Sequence, residues 1–425
     1  MKKKTILLFL MLIMLMSCFN DLNDLIYEFS EFKEPICVKI GVPVNGNGRG
    51  WANARNSLQT AIGDASPGDE IWVAGDMTVS SAIDISEAVS IYGGFKGNES
   101  KREEAKGRSN VINTGSLNYL FTITAAGSAI CGFSFTNSTG CAVQLNADLS
   151  ADISNCEFKN NYAGLSGGGG VSCSVNNFLN VNNCVFTGNV LSGGGLRGGA
   201  ICFISGVLNI SNSIFNENLS SSYGGAIYCD DGSSLTVKNS YFFKNHSSSI
   251  GGAIYSNGSN VINISDNCIF DGNYAYSGGA ILITGNSTVQ IDNNCFFHNN
   301  YVTSGSGGAI LLTNFIDAAF VDIHFKNNYT ISAVTMGGGA IAATNSVYGN
   351  LIIKQCIFES NYTLTSVMGG GAILLENNIN SQICDSAFLY NSVETGNGGA
   401  IYKTTSVMLI MENNYFQGNT PDDVY

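Results

Sequence analysis

The side chains that could carry out catalysis are few and scattered in this sequence. Charged residues make up 12% of the 425. There are three histidines and, after residue 131, a single arginine: His246, His298, His324 and Arg197. Glycoside hydrolysis needs two carboxyl groups close together, and proton abstraction needs a well-placed base. The densest acidic pair of the repeats, Asp230 and Asp231, precedes Gly232 in a stretch typical of a turn. We therefore predict no catalytic residue, no metal site and no cofactor.

One cysteine near the N-terminus points to a different kind of chemistry. Three lysines precede an apolar stretch of 11 residues, 6–16, which is too short to span a bilayer. The stretch runs into Leu-Met-Ser-Cys, which resembles the lipobox of bacterial lipoproteins. The resemblance implies cleavage before Cys18, acylation of that cysteine and attachment to a membrane. An ordinary secretory signal is the alternative interpretation.

Composition limits the class of protein and its partners. Hydrophobic residues make up 44% of the chain, which is too many for a disordered protein. The net charge is −13 and becomes −16 once the three lysines of the signal are removed, so nucleic acid is an unfavourable partner. Twelve cysteines remain besides Cys18. Buried free thiols are the favoured interpretation, and disulfides between stacked rungs are the alternative.

Two short motifs alternate through most of the chain. F-x-x-N begins at Phe158, Phe186, Phe215, Phe242, Phe270, Phe296, Phe325, Phe358, Phe388 and Phe416. GGAI or GGGAI places an alanine at Ala200, Ala226, Ala253, Ala280, Ala309, Ala340, Ala372 and Ala400. Successive phenylalanines lie 26 to 33 residues apart. A period in the high twenties with two fixed motifs predicts a solenoid, here an all-β parallel β-helix.

One repeat, residues 223–249, illustrates the predicted rung. Residues 224–228, 234–238 and 242–245 are expected to form three short strands, and 246–249 a polar loop. The motif phenylalanine should point inward and stack on its equivalents in neighbouring rungs. The motif asparagine is expected to adopt a left-handed bend and to form a ladder. Cysteines two residues before a motif phenylalanine should point inward with it.

The N-terminal part is less regular and is expected to cover the open end of the solenoid. Residues 51–62 have helical spacing, and 70–73, 89–95 and 110–112 read as early strands. We divide the chain into a signal peptide (1–17), a tether (18–37), a cap with irregular first rungs (38–130) and the regular repeats (131–425). The cap and the repeats form one continuous domain.

These motifs resemble those of known families. Paired GGA[ILV] and FxxN motifs are typical of the chlamydial polymorphic outer membrane proteins, which contain right-handed parallel β-helices. Only the passenger part is similar, because no autotransporter barrel pattern follows. The N-terminal sequences GRGWANA, SLQTA, GDEIWVA and YGGF are similar to a module of exported β-helix proteins in the pectin-lyase-like superfamily.

Together these observations predict a non-enzymatic lipoprotein of the bacterial outer membrane or cell surface, with the periplasmic side of that membrane as the alternative location. Its expected role is that of an adhesin or binding protein for a host or cell-surface protein or glycan. A polysaccharide lyase or hydrolase and a structural envelope spacer are the alternatives. The long segments around residues 315–321 and 330–336 are where a site assembled from loops is expected first.

Overall fold

The computed structural model describes residues 33–164, 167–193, 197–314, 316–331, 336–344, 349–364 and 368–425. The signal peptide, Cys18 and most of the tether lie outside the described residues. So do Phe315 and most of the segment 330–336.

The described chain winds through stacked rungs, and every pairing between its strands is parallel. A regular rung contributes one strand to each of four parallel sheets, A, B, C and D. Within a rung the chain passes through sheet C first, then A, B and D. In the repeat formed by residues 223–249, the four strands are Ile227–Cys229, Ser233–Lys238, Tyr241–Phe243 and His246–Ser247. The prediction of three strands was therefore incomplete, because His246 and Ser247 form a strand rather than a loop. A two-residue strand is too short to show any alternation of apolar and polar residues.

Within each sheet, neighbouring strands come from successive rungs. Sheet A contains Ile36–Lys39, Glu70–Ala74, Ser90–Phe95, Ser128–Cys131, Ser150–Ser154, Asn177–Asn182, Gly206–Ser211, Ser233–Lys238, Val261–Ser265, Ser287–Ile291, Ile316–Val321, Asn350–Lys354, Asn380–Cys384 and Met408–Glu412. Sheet B contains Met77–Val79, Ser109–Asn113, Phe133–Thr136, Glu157–Lys159, Val185–Thr187, Ile214–Asn216, Tyr241–Phe243, Ile269–Asp271, Cys295–His298, Ile323–Lys326, Ile357–Glu359, Ala387–Leu389 and Tyr415–Gln417. Sheet C contains Ile83–Ile85, Tyr119–Ile123, Cys141–Leu145, Val171–Cys173, Ile201–Phe203, Ile227–Cys229, Ile254–Ser256, Ile281–Thr284, Ile310–Thr313, Ile341–Thr344, Ile373–Leu375 and Ile401–Lys403. Sheet D contains Tyr162–Ala163, Val190–Leu191, Leu219–Ser220, His246–Ser247, Tyr274–Ala275, Tyr301–Val302, Tyr329–Thr330, Tyr362–Thr363 and Ser392–Val393. Met336–Gly338 and Met368–Gly370 form a further pair.

A column of stacked phenylalanine rings fills the core behind sheet B. Ring centroids in adjacent rungs lie 4.6 Å apart for Phe242 and Phe270 and 4.7 Å apart for Phe270 and Phe297, with nearly parallel planes. The predicted inward stack is thus confirmed, but the prediction that Phe296 belongs to it was wrong. Phe297 is in register with Phe270 and is fully buried, whereas Phe296 faces outward. Two adjacent phenylalanines made the motif ambiguous by one residue, and alternation along the strand places only one of them inside.

The motif asparagines form the predicted ladder, but they do not make the bend. Asn245 is fully buried, and its amide nitrogen donates to the carbonyl oxygen of Phe215 and to Oδ1 of Asn273, at 2.9 Å each. The left-handed residue is the one before it, Lys244, with φ of 48°. Each rung thus turns one residue earlier than predicted, and the next residue caps the turn from inside.

The GGAI glycines and alanines let the corner between sheets D and C pack closely. Gly224 has φ of 61°, a conformation that glycine adopts without strain. A Cβ on Gly252 would collide with the carbonyl oxygen of Gly279 in the next rung. Ala226 is fully buried, and its backbone nitrogen donates to the carbonyl oxygen of Ala253 at 2.9 Å. Small residues are therefore required where neighbouring rungs touch through their backbones.

The N-terminal end of the coil is covered by a short helix, α1 (Leu58–Asp64), whose apolar face is buried against the first rungs. Helical spacing over 51–62 predicted one helix, whereas residues 51–53 form a separate 3-10 turn. The first strand of sheet A starts at Ile36, so the folded part reaches two residues into the predicted tether. No helix within the described ranges is long and apolar enough to cross a membrane.

Candidate binding surface

A row of aromatic rings runs along the outward face of sheet D. Each ring belongs to the residue directly after a ladder asparagine, because alternation turns that side chain outward. The row contains His246, Tyr274, Tyr301, Tyr329 and Tyr362, which we call the aromatic row. Consecutive ring centroids are 4.0, 5.0, 5.0 and 4.8 Å apart, and their planes differ by 11° or less.

The rings are half-buried by one another, and this affects their titration. Burial, and then the neighbouring tyrosines, raise the pKa of Tyr301 and Tyr329 above the ordinary value. Burial lowers the pKa of His246. At neutral pH the His246 ring is therefore uncharged, and Tyr301 and Tyr329 keep their protonated hydroxyl groups. Tyrosine in this state offers an apolar body and a hydrogen-bonding tip to a ligand.

A shallow groove of about 550 Å³ follows the first rungs of the row. His246, Tyr274 and Tyr301 line one part of it, and Glu217 and Lys244 line another. Gly272 also lines the groove, with φ of 65° at the left-handed turn position. The groove thus combines aromatic edges with one charge of each sign.

A titratable cluster lies beside the row on the outward face of sheet B. His324 Nε2 is 3.1 Å from Glu359 Oε2, and Lys326 donates to Glu359 Oε1 at 2.9 Å. These contacts, with that of Lys326 the largest, hold the pKa of Glu359 below its usual range. His298 ends a strand of sheet B, with its ring centroid 5.3 Å from that of His324. Burial and then His324 lower the pKa of His298.

This cluster lacks the features of a glycosidase centre. The carboxylates on this part of sheet B, Asp271 and Glu359, occupy the same register position three rungs apart. Glu359 is already paired with Lys326 and His324. Within the described ranges, no three His, Cys, Asp or Glu residues are grouped as metal ligands would be. Hydrolysis of the two-carboxylate type is thus unsupported at this position.

The region of Arg197 and Asp230 has a structural explanation. The Arg197 guanidinium pairs with Asp230 and lies over the Tyr228 ring, 4.7 Å from its centroid. Although burial opposes it, hydrogen bonds from Asn257 and Tyr228 and the charge of Arg197 hold the pKa of Asp230 below its usual value. Tyr228 is nearly inaccessible, and the Arg197 guanidinium covers its ring on the outward side of sheet C. Asp230 thus holds the Arg197 side chain in place.

A polar surface lies on sheet A, where side chains of neighbouring rungs bond to one another. Asn180 donates to Asp152 at 2.7 Å, and Asn209 donates to Asn180 at 3.0 Å, so neighbouring rungs satisfy one another. A cleft of about 870 Å³ lies farther toward the N-terminus, between the 102–110 segment and the first rungs. Arg102 in this cleft already contacts Glu70 and Tyr92.

Sequence reasoning missed the aromatic row, although its signal was present. In four successive repeats the motif asparagine is followed directly by tyrosine, as Asn273-Tyr274 shows. The motif F-x-x-N is thus locally F-x-x-N-Y. Once the asparagine is known to point inward, the next residue must point outward.

Comparison with known proteins agrees with this architecture. Residues 199–380 match a family model described as right handed beta helix region. No curated protein and no solved structure gave a significant match. The family match and the parallel sheets together identify the described chain as a right-handed parallel β-helix.

Proposed function

We propose that the protein is a non-enzymatic binding protein that holds an extended glycan along the aromatic row. The observation that carries the proposal is the row itself, in which five outward rings repeat once per rung. A row parallel to the solenoid axis offers the same contact at each rung, which suits a polymer with a regular repeat. Sugars combine apolar C–H faces with hydroxyl groups, and tyrosine edges and hydroxyls complement both.

An uncharged glycan fits this surface better than a polyanion. The chain has a net charge of −13, and a negative molecule repels a negative polymer at long range. Near the row, Lys244 and Glu217 contribute opposite charges. We therefore expect binding that depends weakly on salt, because screening acts mainly on net charge interactions.

Binding can be tested by affinity electrophoresis in gels that contain soluble neutral polysaccharides. Tyr301→Ala should weaken binding by about tenfold, which corresponds to about 1.4 kcal/mol for a lost aromatic contact. Tyr162→Ala is the matched control, because Tyr162 occupies the same column of sheet D but lies outside the stacked row. Equal retardation of the two variants would contradict the proposal.

The envelope location is a separate part of the proposal and rests on the Leu-Met-Ser-Cys sequence that ends at Cys18. Cys18→Ala should abolish incorporation of labelled fatty acid and release the protein from membranes. Protease treatment of intact cells then distinguishes display at the surface, which an adhesin requires, from a periplasmic location. Membrane association that persists in the variant would refute the lipid anchor.

A polysaccharide-active enzyme is the second candidate, and the His298, His324 and Glu359 cluster favours a lyase, which needs a base, over a two-carboxylate hydrolase. Release of reducing ends or of unsaturated products from a bound polymer would support this role. Glu359→Gln should then abolish release while leaving the polymer bound. Intact polymer after long incubation would leave binding as the activity.

A further inference from the structure

Five buried cysteines of the repeats lie in one inward column. It consists of the residue two positions before each stacked phenylalanine, at the corner between sheets A and B. From rung to rung it includes Cys156, Cys184, Ser213, Ser240, Cys268, Cys295, Ile323, Cys356 and Ser386, all of them buried. Both cysteine and serine fit this column because each donates to a nearby carbonyl oxygen. Cys184 Sγ lies 3.4 Å from the Asn182 oxygen, and Ser240 Oγ lies 2.7 Å from the Lys238 oxygen.

Cysteines occupy adjacent rungs of this column at two places. Glu157 pairs with Val185 and Ile269 pairs with Phe296, so Cys156 is level with Cys184 and Cys268 is level with Cys295. Adjacent strands are roughly 4.8 Å apart. Disulfides bridge Cα atoms roughly 4.4–6.8 Å apart, so in-register cysteines meet this condition. All four side chains are fully buried.

In each pair, one thiol also affects the pKa of the other. A hydrogen bond from Cys295 lowers the pKa of Cys268, and the same contact raises that of Cys295. Burial, followed by contact with Cys184, raises the pKa of Cys156. Cys156 and Cys184 each donate to the carbonyl oxygen two residues earlier, and Cys268 and Cys295 each donate to the carbonyl oxygen three residues earlier. The two sulfur atoms of a pair therefore occupy equivalent positions in adjacent rungs.

We propose that Cys156 with Cys184, and Cys268 with Cys295, form disulfides between adjacent rungs when the chain folds in an oxidising compartment. Each bond forms by exchange with a disulfide donor, such as a thiol oxidoreductase or oxidised glutathione. A cysteine thiolate displaces one donor thiol to give a mixed disulfide, and its partner thiolate then displaces the second. Two protein thiols are thereby oxidised, and one donor disulfide is reduced to two thiols. In cells, the proposal depends on the export inferred above.

Burial determines when this exchange is possible. Because the thiols of the folded coil are inaccessible, the donor must react before the rungs close over them. The same column provides a control, since Cys356 lies between Ile323 and Ser386 and has no cysteine neighbour within it. Cys356 should therefore remain a thiol.

The test is to refold the full chain from denaturant in a mixture of oxidised and reduced glutathione. The remaining thiols are then alkylated with iodoacetamide in denaturant, and the peptides are mapped by mass spectrometry without reduction. We expect both cross-linked pairs, each lighter than its reduced form by two hydrogens, with Cys356 alkylated. Folded, fully reduced protein exposed to the same glutathione should stay reduced. Cys184→Ser should remove only the first pair and Cys295→Ser only the second.

Alkylation of all four cysteines after oxidative refolding, or pairing with other partners, would overturn the proposal. The refolding experiment does not depend on location, so it tests the pairing separately from export. Protein recovered from cell envelopes provides the second arm. Reduced pairs there, with oxidised pairs after refolding, would contradict export into an oxidising compartment while supporting the geometry.

Discussion

Two adjacent phenylalanines provide a sharp test of the rung register. Phe297 is fully buried, with ring centroids 4.7 Å from Phe270 and 5.2 Å from Phe325. Replacing such a residue with alanine leaves a cavity and should lower the free energy of unfolding by about 3–5 kcal/mol. Phe296 faces outward and is half-buried, with ring centroids 5.5 Å from His298 and 6.2 Å from His324. Phe296→Ala should cost only about 1 kcal/mol, which is typical of one aromatic contact.

The assay is urea unfolding followed by far-UV circular dichroism, with the midpoint and slope fitted for both variants. A solenoid is stabilised by contacts between neighbouring rungs. Phe297→Ala should therefore also split the unfolding curve into two transitions, because it weakens the interface between rungs near the middle of the coil. The ratio of the two losses matters more than either value. Equal losses, or a larger loss for Phe296→Ala, would refute the assigned register and with it the outward direction of the aromatic row.

Three further outcomes are expected. Asn245→Leu should lower the free energy of unfolding by at least about 2 kcal/mol, because the Phe215 carbonyl and the Asn218 amide lose their partner in the core; an unchanged urea midpoint would contradict the ladder. In reduced protein, Cys184→Ser should be nearly neutral and Cys184→Ala should cost about 1 kcal/mol, because only serine keeps the corner hydrogen bond; equal midpoints would contradict this role. Since burial lowers the pKa of His246 and His298 in the folded state, their contribution to stability is present above the unfolded pKa of 6.5 and is lost as pH falls through the folded values. The urea midpoint should therefore decrease as the pH is lowered below 6.5, and the His246→Gln, His298→Gln double variant should show a weaker dependence on pH.

The repeat and its inward residues could be predicted because the same physical requirement recurs in every rung. Phe242 or Ala226 read alone carries no information, whereas the spacing of eight or ten copies fixes a solenoid. Details that depend on a single residue were harder to predict. The motif asparagine suits either a left-handed bend or a buried cap. Only three-dimensional packing shows that Lys244 makes the bend and that Asn245 is the cap. Phe296 and Phe297 differ only in which face they take.

The candidate surface could not be predicted from residues considered one at a time. His298 and His324 lie 26 residues apart in the chain, yet the register stacks them in neighbouring rungs. Tyr274 and Tyr301 occupy positions equivalent to His246, which was predicted to begin a polar loop, and only the pairing of sheet D places them in one row. Sequence order conceals contacts between rungs, so a surface that extends along the axis becomes visible only when the register is known.

The most direct test of the central claim is the dependence of affinity on ligand length. Calorimetric titration should be carried out with a series of oligosaccharides of increasing length, taken from the polymer that retards the protein most. If the ligand lies along the aromatic row, affinity should rise with each added sugar until the row is covered and then level off. Tyr301→Ala should reduce this gain, while Tyr162→Ala leaves it unchanged. Affinity that is already maximal for a disaccharide, or equal in both variants, would contradict binding along the row.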